Sequence, residues 1–340
     1  MLARLSITQQ IKVNIMNKIQ KSMGCLLLAT SIGGVQASTL DAQVGTNIDA
    51  FDVFVKNGVS AGVDKTVSNV NEFNLSGWIL SDFGTGAPSL TNSTFTDYIL
   101  VTTTAMSDAG GSVITSTGLN NTYQLTALIE ATGKITNGAT GAFTFTGLNS
   151  FGLYVDTGFT NAQFTGNLGN FTDGSKVMTG GSLVNLTGLP PSNVGILNPT
   201  LGANGEFNLQ FQWLQDLVDG QTAAFLRGAG TATSLFDLYP NILSLTAGEV
   251  TNQASDINGV KTGSGTSDAA RANNIAIMNN FETFFGVTGG AGVTLFQVRS
   301  TPDTNLASHT VPEPNMILLM GAGLLGLAGF SSTARRKKVA

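Results

Sequence analysis

The stretch Phe207-Asn208-Leu209-Gln210-Phe211-Gln212-Trp213-Leu214 alternates apolar and polar side chains without interruption. Successive side chains of a β-strand point to opposite faces of the sheet, so this stretch predicts a strand with one buried face and one wet face. The buried face carries Phe207, Leu209, Phe211 and Trp213, and the wet face carries Asn208, Gln210 and Gln212.

Runs of the same kind recur along the chain. They are enriched in β-branched and aromatic residues and occupy 48–55, 73–80, 98–104, 122–131, 143–148, 151–157 and 293–298. Turn signals rich in Gly, Asn and Ser separate them at 108–112, 136–139 and 171–175. Such spacing predicts a mainly β protein, with an antiparallel sandwich or barrel-like body and one or two helices.

One helix is predicted from its caps. Ser267 and Asp268 supply an N-terminal cap and acid, and Gly286 closes the element. The apolar stripe predicted for its core face is Ile275, Met278, Phe281 or Glu282, and Phe285. A weaker helix is predicted over 214–227, a hairpin loop over 288–292, and a single domain with a long connection around Pro190-Pro191.

The first 37 residues are typical of a secretory signal peptide. A cationic segment at 16–21 precedes an apolar run at 23–32, and Val35-Gln36-Ala37 offers small residues for cleavage after Ala37. Met16 is the expected true start, because residues 1–15 only lengthen the cationic segment. The expected extracytoplasmic β-rich domain is 38–305.

The end of the chain combines three features. Val311, Pro312, Glu313 and Pro314 form a rigid break, an uncharged apolar run covers 316–330, and Arg335, Arg336, Lys337 and Lys338 follow. The prolines favour extended backbone, and the cations mark a cytoplasmic end by the positive-inside rule. These features predict a linker at 306–314, a transmembrane helix at 315–333 and a basic cytoplasmic tail at 334–340.

This order of features resembles the PEP-CTERM sorting signal of Gram-negative bacteria. The resemblance implies Sec export, a transient stage in the inner membrane, and processing by an exosortase that recognises the Pro-Glu-Pro motif. The cell surface or extracellular matrix is the implied destination. A weaker resemblance, carried by Trp78 to Phe83, Asp97 to Val101, Tyr123 to Ala127 and Phe151 to Asp156, is to flocculation-associated PEP-CTERM proteins, which implies a part in floc and biofilm cohesion.

The charge of the body limits its partners. From residue 38 to 310 it carries 20 acidic and 8 basic residues, a net charge of −12, and no cysteine. Such a surface repels nucleic acid and anionic lipid, and no disulfide or thiolate site is expected. Charged residues are only 11% of the whole chain, which suits a polar, weakly charged extracellular surface.

Catalytic constellations are not expected, and no cofactor or metal is predicted. His309 is the single histidine and stands in the linker, which argues against a His-based triad or a zinc site. Residues 256–259 are the nearest calcium candidate, but a plain turn is the preferred interpretation. Asp216 and Asp219 are the nearest carboxylate pair for glycoside hydrolysis, with a solvated helix face as the preferred interpretation.

The sequence therefore favours a structural or adhesive surface protein without enzymatic activity. The alternative is a lectin-like module that binds exopolysaccharide, for which Trp78, Trp213, Tyr98 and Tyr154 are the aromatic candidates, although core packing explains most of them. A secreted glycosidase that uses Asp216 is the remote alternative.

Overall fold

The fold is seen in a computed structural model. It describes residues 51–60, 62–87, 89–108, 110–158, 164–183, 193–198, 200–215, 225–228, 241–257, 259–288, 292–299 and 304–307. The strands are β1 Phe51–Ser60, β2 Val63–Val70, β3 Glu72–Asp82, β4 Thr94–Ser107, β5 Gln124–Asn137, β6 Ala142–Asp156, β7 Ser175–Leu183, β8 Val194–Ile196, β9 Asn204–Gln215, β10 Leu226–Gly228, β11 Asn241–Ile257, β12 Val260–Gly263, β13 Val293–Arg299 and β14 Thr304–Ala307. A short 3-10 helix, Leu168–Phe171, follows β6, and helix α1, Asp268–Phe285, lies between β12 and β13.

Eight antiparallel strands close into a barrel in the order β11, β13, β3, β4, β5, β6, β7 and β9. The closing contact joins β9 to β11, with Trp213 opposite Asn241 and Phe207 opposite Ala247. The prediction of a mainly β, antiparallel, barrel-like body is confirmed. Closure satisfies the backbone hydrogen bonds of both edges of what would otherwise be an open sheet.

The barrel interior is filled by apolar side chains at alternating positions. Phe207, Leu209, Phe211 and Trp213 are all buried, as the sequence predicts. Gln210 does not follow the prediction of a wet face, because it is also buried. Its backbone N–H donates to the side-chain oxygen of Asn193, just before β8, at 2.8 Å. Aromatic rings pack edge to face or tilted across the interior at centroid distances of 5.5 Å for Phe83–Phe95, 5.4 Å for Phe95–Phe143, 5.0 Å for Phe143–Phe145 and 5.9 Å for Phe145–Phe207.

A small sheet of β10, β1 and β2 covers one end of the barrel, the end at which β3 begins and β4 ends. The ring of Phe51 lies 5.8 Å from that of Phe73, and the hydroxyl of Thr122 donates to the carbonyl of Gly58. The guanidinium of Arg227 lies 3.7 Å from the ring centroid of Phe54. Because β1 buries its apolar side chains in the same core, the small sheet caps this end.

Helix α1 begins and ends where its caps predict. The hydroxyl of Ser267 accepts from the backbone N–H of Ala270 at 3.1 Å, and Gly286 takes the left-handed conformation with φ of 68°. The predicted stripe is partly right, since Met278 and Phe281 are buried. Ile277 and Glu282 complete the buried face, while Ile275 and Phe285 are only half-buried. The helix packs on the outer wall of the barrel, over Trp78, Leu80 and Leu100.

Three local predictions need correction or revision. The helix predicted over 214–227 is wrong at both ends, because β9 runs through Gln215 in register with β7 and because Leu226–Gly228 is β10; the remainder lies outside the described residues. The hairpin loop predicted over 288–292 is wrong, because the element before it is helix α1 and not a strand that pairs with β13; residues 289–291 lie outside the described residues. Runs 143–148 and 151–157 belong to one strand, β6, whose register shifts opposite Glu130 and Ala131.

The predicted turns hold. The carboxylate of Asp108 accepts from the backbone N–H groups of Gly110 and Ser112, at 2.9 Å each. The side chain of Asn137 accepts from the N–H of Ala139 at 3.0 Å, between β5 and β6. In both turns a short polar side chain replaces a backbone hydrogen bond, which is the reason such residues mark turns.

Candidate functional site

A row of polar side chains crosses the inside of the barrel. Ser255, Thr294, Ser81 and Asp97 lie directly opposite one another on β11, β13, β3 and β4, and all four are buried. The hydroxyl of Ser81 donates to the Asp97 carboxyl at 2.5 Å. Burial raises the pKa of Asp97 to about 7, against the lowering effect of the Ser81 hydrogen bond. The row therefore places one ionisable group, the Asp97 carboxyl, in an otherwise apolar interior.

Sequence reasoning did not single out Asp97. The strand predicted there begins at Tyr98, and Asp97 appeared only in the stretch Asp97 to Val101 that carries the weaker family resemblance. The available signal was the alternation around it, since Phe95, Asp97, Ile99 and Val101 share the inward face of β4. A single acid among inward apolar positions indicates a buried, hydrogen-bonded carboxyl.

A second polar cluster joins α1 to the outer wall. The Lys261 ammonium pairs with the carboxylate of Glu282, lies 3.9 Å from that of Asp256, and donates to the Asn279 side chain at 2.5 Å. Asp256 and Glu282 are both buried. The cluster therefore places one cation between two buried acids and ties the β11–β12 hairpin to the helix.

The calcium candidate at 256–259 is a hairpin turn. Ile257 and Val260 face each other across it, and Gly259 adopts φ of 80°. Among the described residues, no group of three or more His, Cys, Asp or Glu side chains is close enough to hold a metal ion. His309, Asp216 and Asp219 lie outside the described residues.

The aromatic residues considered for sugar stacking are either buried or half-buried. Trp78 and Trp213 are buried, as core packing predicts. Tyr98 is half-buried and stacks on Phe285, with ring centroids 4.7 Å apart. Tyr154 is also half-buried, and its ring lies over Gly152 on the outer face of β6, where a Cβ would come within 2.9 Å of it.

The last strand lies next to the predicted sorting tail. β14 pairs with β11, with Leu245 opposite Thr304 and Ile242 opposite Ala307, and Asn305 lies opposite Glu72 of β3. The strand thus includes residues 306 and 307, which the sequence analysis assigned to the linker.

Among the described residues no helix has the length and apolar character needed to cross a membrane. Several predicted features lie outside the described residues. They are the start at Met16, the cleavage site at Ala37, the sorting motif Val311, Pro312, Glu313 and Pro314, the membrane span at 315–333, and the basic residues Arg335, Arg336, Lys337 and Lys338.

The family model described as the PEP-CTERM protein-sorting motif matches residues 310–337. The chain carries a PEP-CTERM sorting motif. The match contains the whole Val311 to Pro314 segment and the start of the basic run, so the resemblance to the PEP-CTERM sorting signal is confirmed. The weaker resemblance to flocculation-associated proteins stays a prediction. Neither a curated protein nor a solved structure matches the chain.

The PEP-CTERM motif indicates an exported protein that is processed by an exosortase. It implies Sec export, a transient stage anchored in the membrane, and a final location outside the cell or on its surface. The motif concerns sorting, and the match does not extend into the barrel. The role of the barrel is therefore argued from its own residues.

Proposed function

We propose that this PEP-CTERM protein is a structural or adhesive component of the cell surface or extracellular matrix of a Gram-negative bacterium, without enzymatic activity. The observation that carries the proposal is the attachment of the sorting tail to a closed barrel whose interior is filled by aromatic and aliphatic side chains. Such a body is a self-contained folded domain that suits display on the cell surface or in the matrix. We include in this proposal a part in biofilm or floc formation.

The surface chemistry supports the same proposal. The body has a net charge of −12 and few charged residues, so its surface is dominated by Thr, Asn, Ser and Gly. A surface of this kind repels anionic nucleic acid and presents many hydroxyl and amide groups. Those groups suit hydrogen bonding within a hydrated polysaccharide matrix.

Deletion of residues 311–340 tests the proposal. The exported deletion variant should accumulate in the periplasm or the medium and lose association with the matrix. A matched control replaces Pro312, Glu313 and Pro314 by alanine, which keeps the apolar run and the basic residues, and this variant should stay in the membrane fraction. Unchanged matrix association of the deletion variant would contradict the proposal.

A lectin-like module that binds exopolysaccharide is the second candidate. It is favoured by the half-exposed ring of Tyr154, which lies next to Gly152 and has the Lys176 ammonium 6.0 Å from its centroid. Aromatic faces beside hydrogen-bonding groups suit the apolar faces of sugar rings. A pull-down of matrix glycan by residues 38–310 tests it, with Tyr154→Ala expected to reduce capture and Leu90→Ala, exposed at the other end of the barrel, expected to leave it unchanged.

A further inference from the structure

The outer wall of the barrel brings a lysine, an asparagine and two acids together. Lys261 lies on β12, directly opposite Asp256 of β11. Asn279 and Glu282 are three residues apart on α1, so their side chains are neighbours on the helix surface. The Lys261 ammonium contacts both of them, and it therefore lies where β12 meets the helix.

The lysine amine and the asparagine amide are close enough to react. The Lys261 Nζ lies 2.5 Å from the Asn279 Oδ1. Because a C=O bond is about 1.23 Å long, the same Nζ lies at most about 3.7 Å from the carbonyl carbon, Cγ. Reacting atoms in near-attack geometries are about 3–3.5 Å apart, so a small shift of the lysine side chain brings Nζ onto Cγ.

The two acids provide a proton acceptor beside the amine. Glu282 pairs with the Lys261 ammonium, and the Asp256 Oδ2 lies 3.9 Å from Nζ. Both acids are buried, and in the described part of the chain neither the Glu282 Oε1 nor the Asp256 Oδ1 has a hydrogen-bond partner. Two buried carboxylates thus share one cation, and proton transfer to Glu282 leaves a single buried charge and a free amine.

We propose that Lys261 and Asn279 become joined by an intramolecular isopeptide bond. The ammonium gives one proton to the Glu282 carboxylate, and the free amine attacks the Asn279 Cγ. The Nζ–Cγ bond forms and the Cγ–Nδ2 bond breaks. Nδ2 leaves as ammonia with its own two protons and one from the amine, which Glu282 relays. The first proton stays on Glu282, so the net charge of the site is the same before and after the reaction.

The surroundings of the site favour the reaction. Asn279 is exposed, so the ammonia leaves directly to solvent. The Asn274 side chain donates to the Ser264 carbonyl at 3.1 Å and to the Gln253 side chain at 3.0 Å, which holds the end of β12 against the helix. The reactants are therefore positioned by contacts that do not themselves react.

The bond would fasten the β11–β12 hairpin to α1. The ion pair between Lys261 and Glu282 is the state that precedes it. Residues 38 to 310 contain no cysteine, and proteins outside the cell commonly use disulfides as covalent ties. A lysine–asparagine bond supplies such a tie from side chains that this chain does have.

Peptide mapping of the wild-type full chain by mass spectrometry tests the bond directly. Trypsin cuts after lysine and arginine, and Arg271 lies between the two reacting residues. The expected product is residues 228–271 joined to residues 272–299, uncut after Lys261 and lighter by one ammonia than the two peptides together. Separate peptides, with a cut after Lys261, would overturn the inference.

Three variants and a matched control assign the roles. Lys261→Arg keeps the cation but has no amine, and Asn279→Ala has no carbonyl to attack, so both should yield separate peptides. Asn280→Ala is the control, because the Asn280 side chain donates instead to the carbonyl of Phe164, and this variant should keep the bond. Glu282→Gln should form the bond about a hundredfold more slowly.

Two further results would contradict the proposal. Loss of ammonia in Lys261→Arg as well as in the wild type, without a joined peptide, would mean that an asparagine has cyclised onto its own backbone. Bond formation at the wild-type rate in Glu282→Gln would overturn the assignment of Glu282 as the proton acceptor.

Discussion

The hydroxyl of Ser81 and the carboxyl of Asp97 form a 2.5 Å hydrogen bond inside the barrel, and both residues are closed to solvent. They are direct cross-strand neighbours on β3 and β4. The interior around them is otherwise built from apolar side chains, such as those of Phe95 and Ile99. An ionisable group in that setting makes the stability of the fold depend on pH.

Stability should fall as the pH rises from about 4 to about 7. The pKa of Asp97 is raised by burial from 3.8 to about 7 in the folded chain. Below pH 4 both states carry the proton. Between the two values the unfolded chain releases it and the folded chain keeps it, so the free energy of unfolding falls by up to about 4 kcal/mol and then stays low. Chemical denaturation at a series of pH values measures this slope.

The variant Asp97→Asn tests whether Asp97 causes this pH dependence of stability. The amide keeps an acceptor for the Ser81 hydroxyl and does not ionise, so the variant should lose most of the slope and exceed the wild-type stability above pH 7. Asp156, whose pKa is also raised by burial, accounts for the remainder. Glu206→Gln, at an exposed position, is the control and should keep the wild-type slope. A parallel pH dependence in wild type and Asp97→Asn would contradict the assignment.

The helix and several strands could be predicted because their signals are local. Phe207 to Trp213 alternate strictly, and Ser267 and Gly286 cap α1 by contacts within one turn. Barrel closure depends on β11, where Gly248, Glu249 and Asn252 interrupt the alternation, so the sequence analysis did not find this strand. The polar row and strand β14 depend on pairing between segments that are far apart in the sequence, and no local pattern predicts such pairing.

Loss of the helix N-cap should have a modest and specific cost. Ser267→Ala removes the acceptor of the Ala270 N–H, and we expect a loss of about 1 kcal/mol in the free energy of unfolding. Thr266→Ala, at the exposed preceding residue, should change stability by less than about 0.5 kcal/mol. Urea denaturation of both variants provides the comparison, and equal effects would argue against the cap.

Removal of the Lys261 cation should cost more. Lys261→Met leaves the buried carboxylates of Asp256 and Glu282 without the ammonium between them, and we expect a loss of about 3 kcal/mol. The double variant Lys261→Met/Glu282→Gln removes one of the two charges, so it should recover part of that loss. A double-mutant cycle with Glu282→Gln alone measures the coupling, and strict additivity would show that the pair contributes nothing.

A methyl group at Gly133 should disrupt the aromatic interior. Phe95 lies directly opposite Gly133, and a Cβ there would come within 2.2 Å of the ring. The ring cannot move aside easily, because it contacts Phe83, Phe143 and Phe145. We therefore expect Gly133→Ala to cost about 1–3 kcal/mol of stability by overpacking. Gly181→Ala is the matched control, since a Cβ at Gly181 meets no atom within 4 Å, and its thermal unfolding should stay close to that of the wild type. Equal unfolding temperatures for the two variants would mean that the Phe95 ring has room to shift.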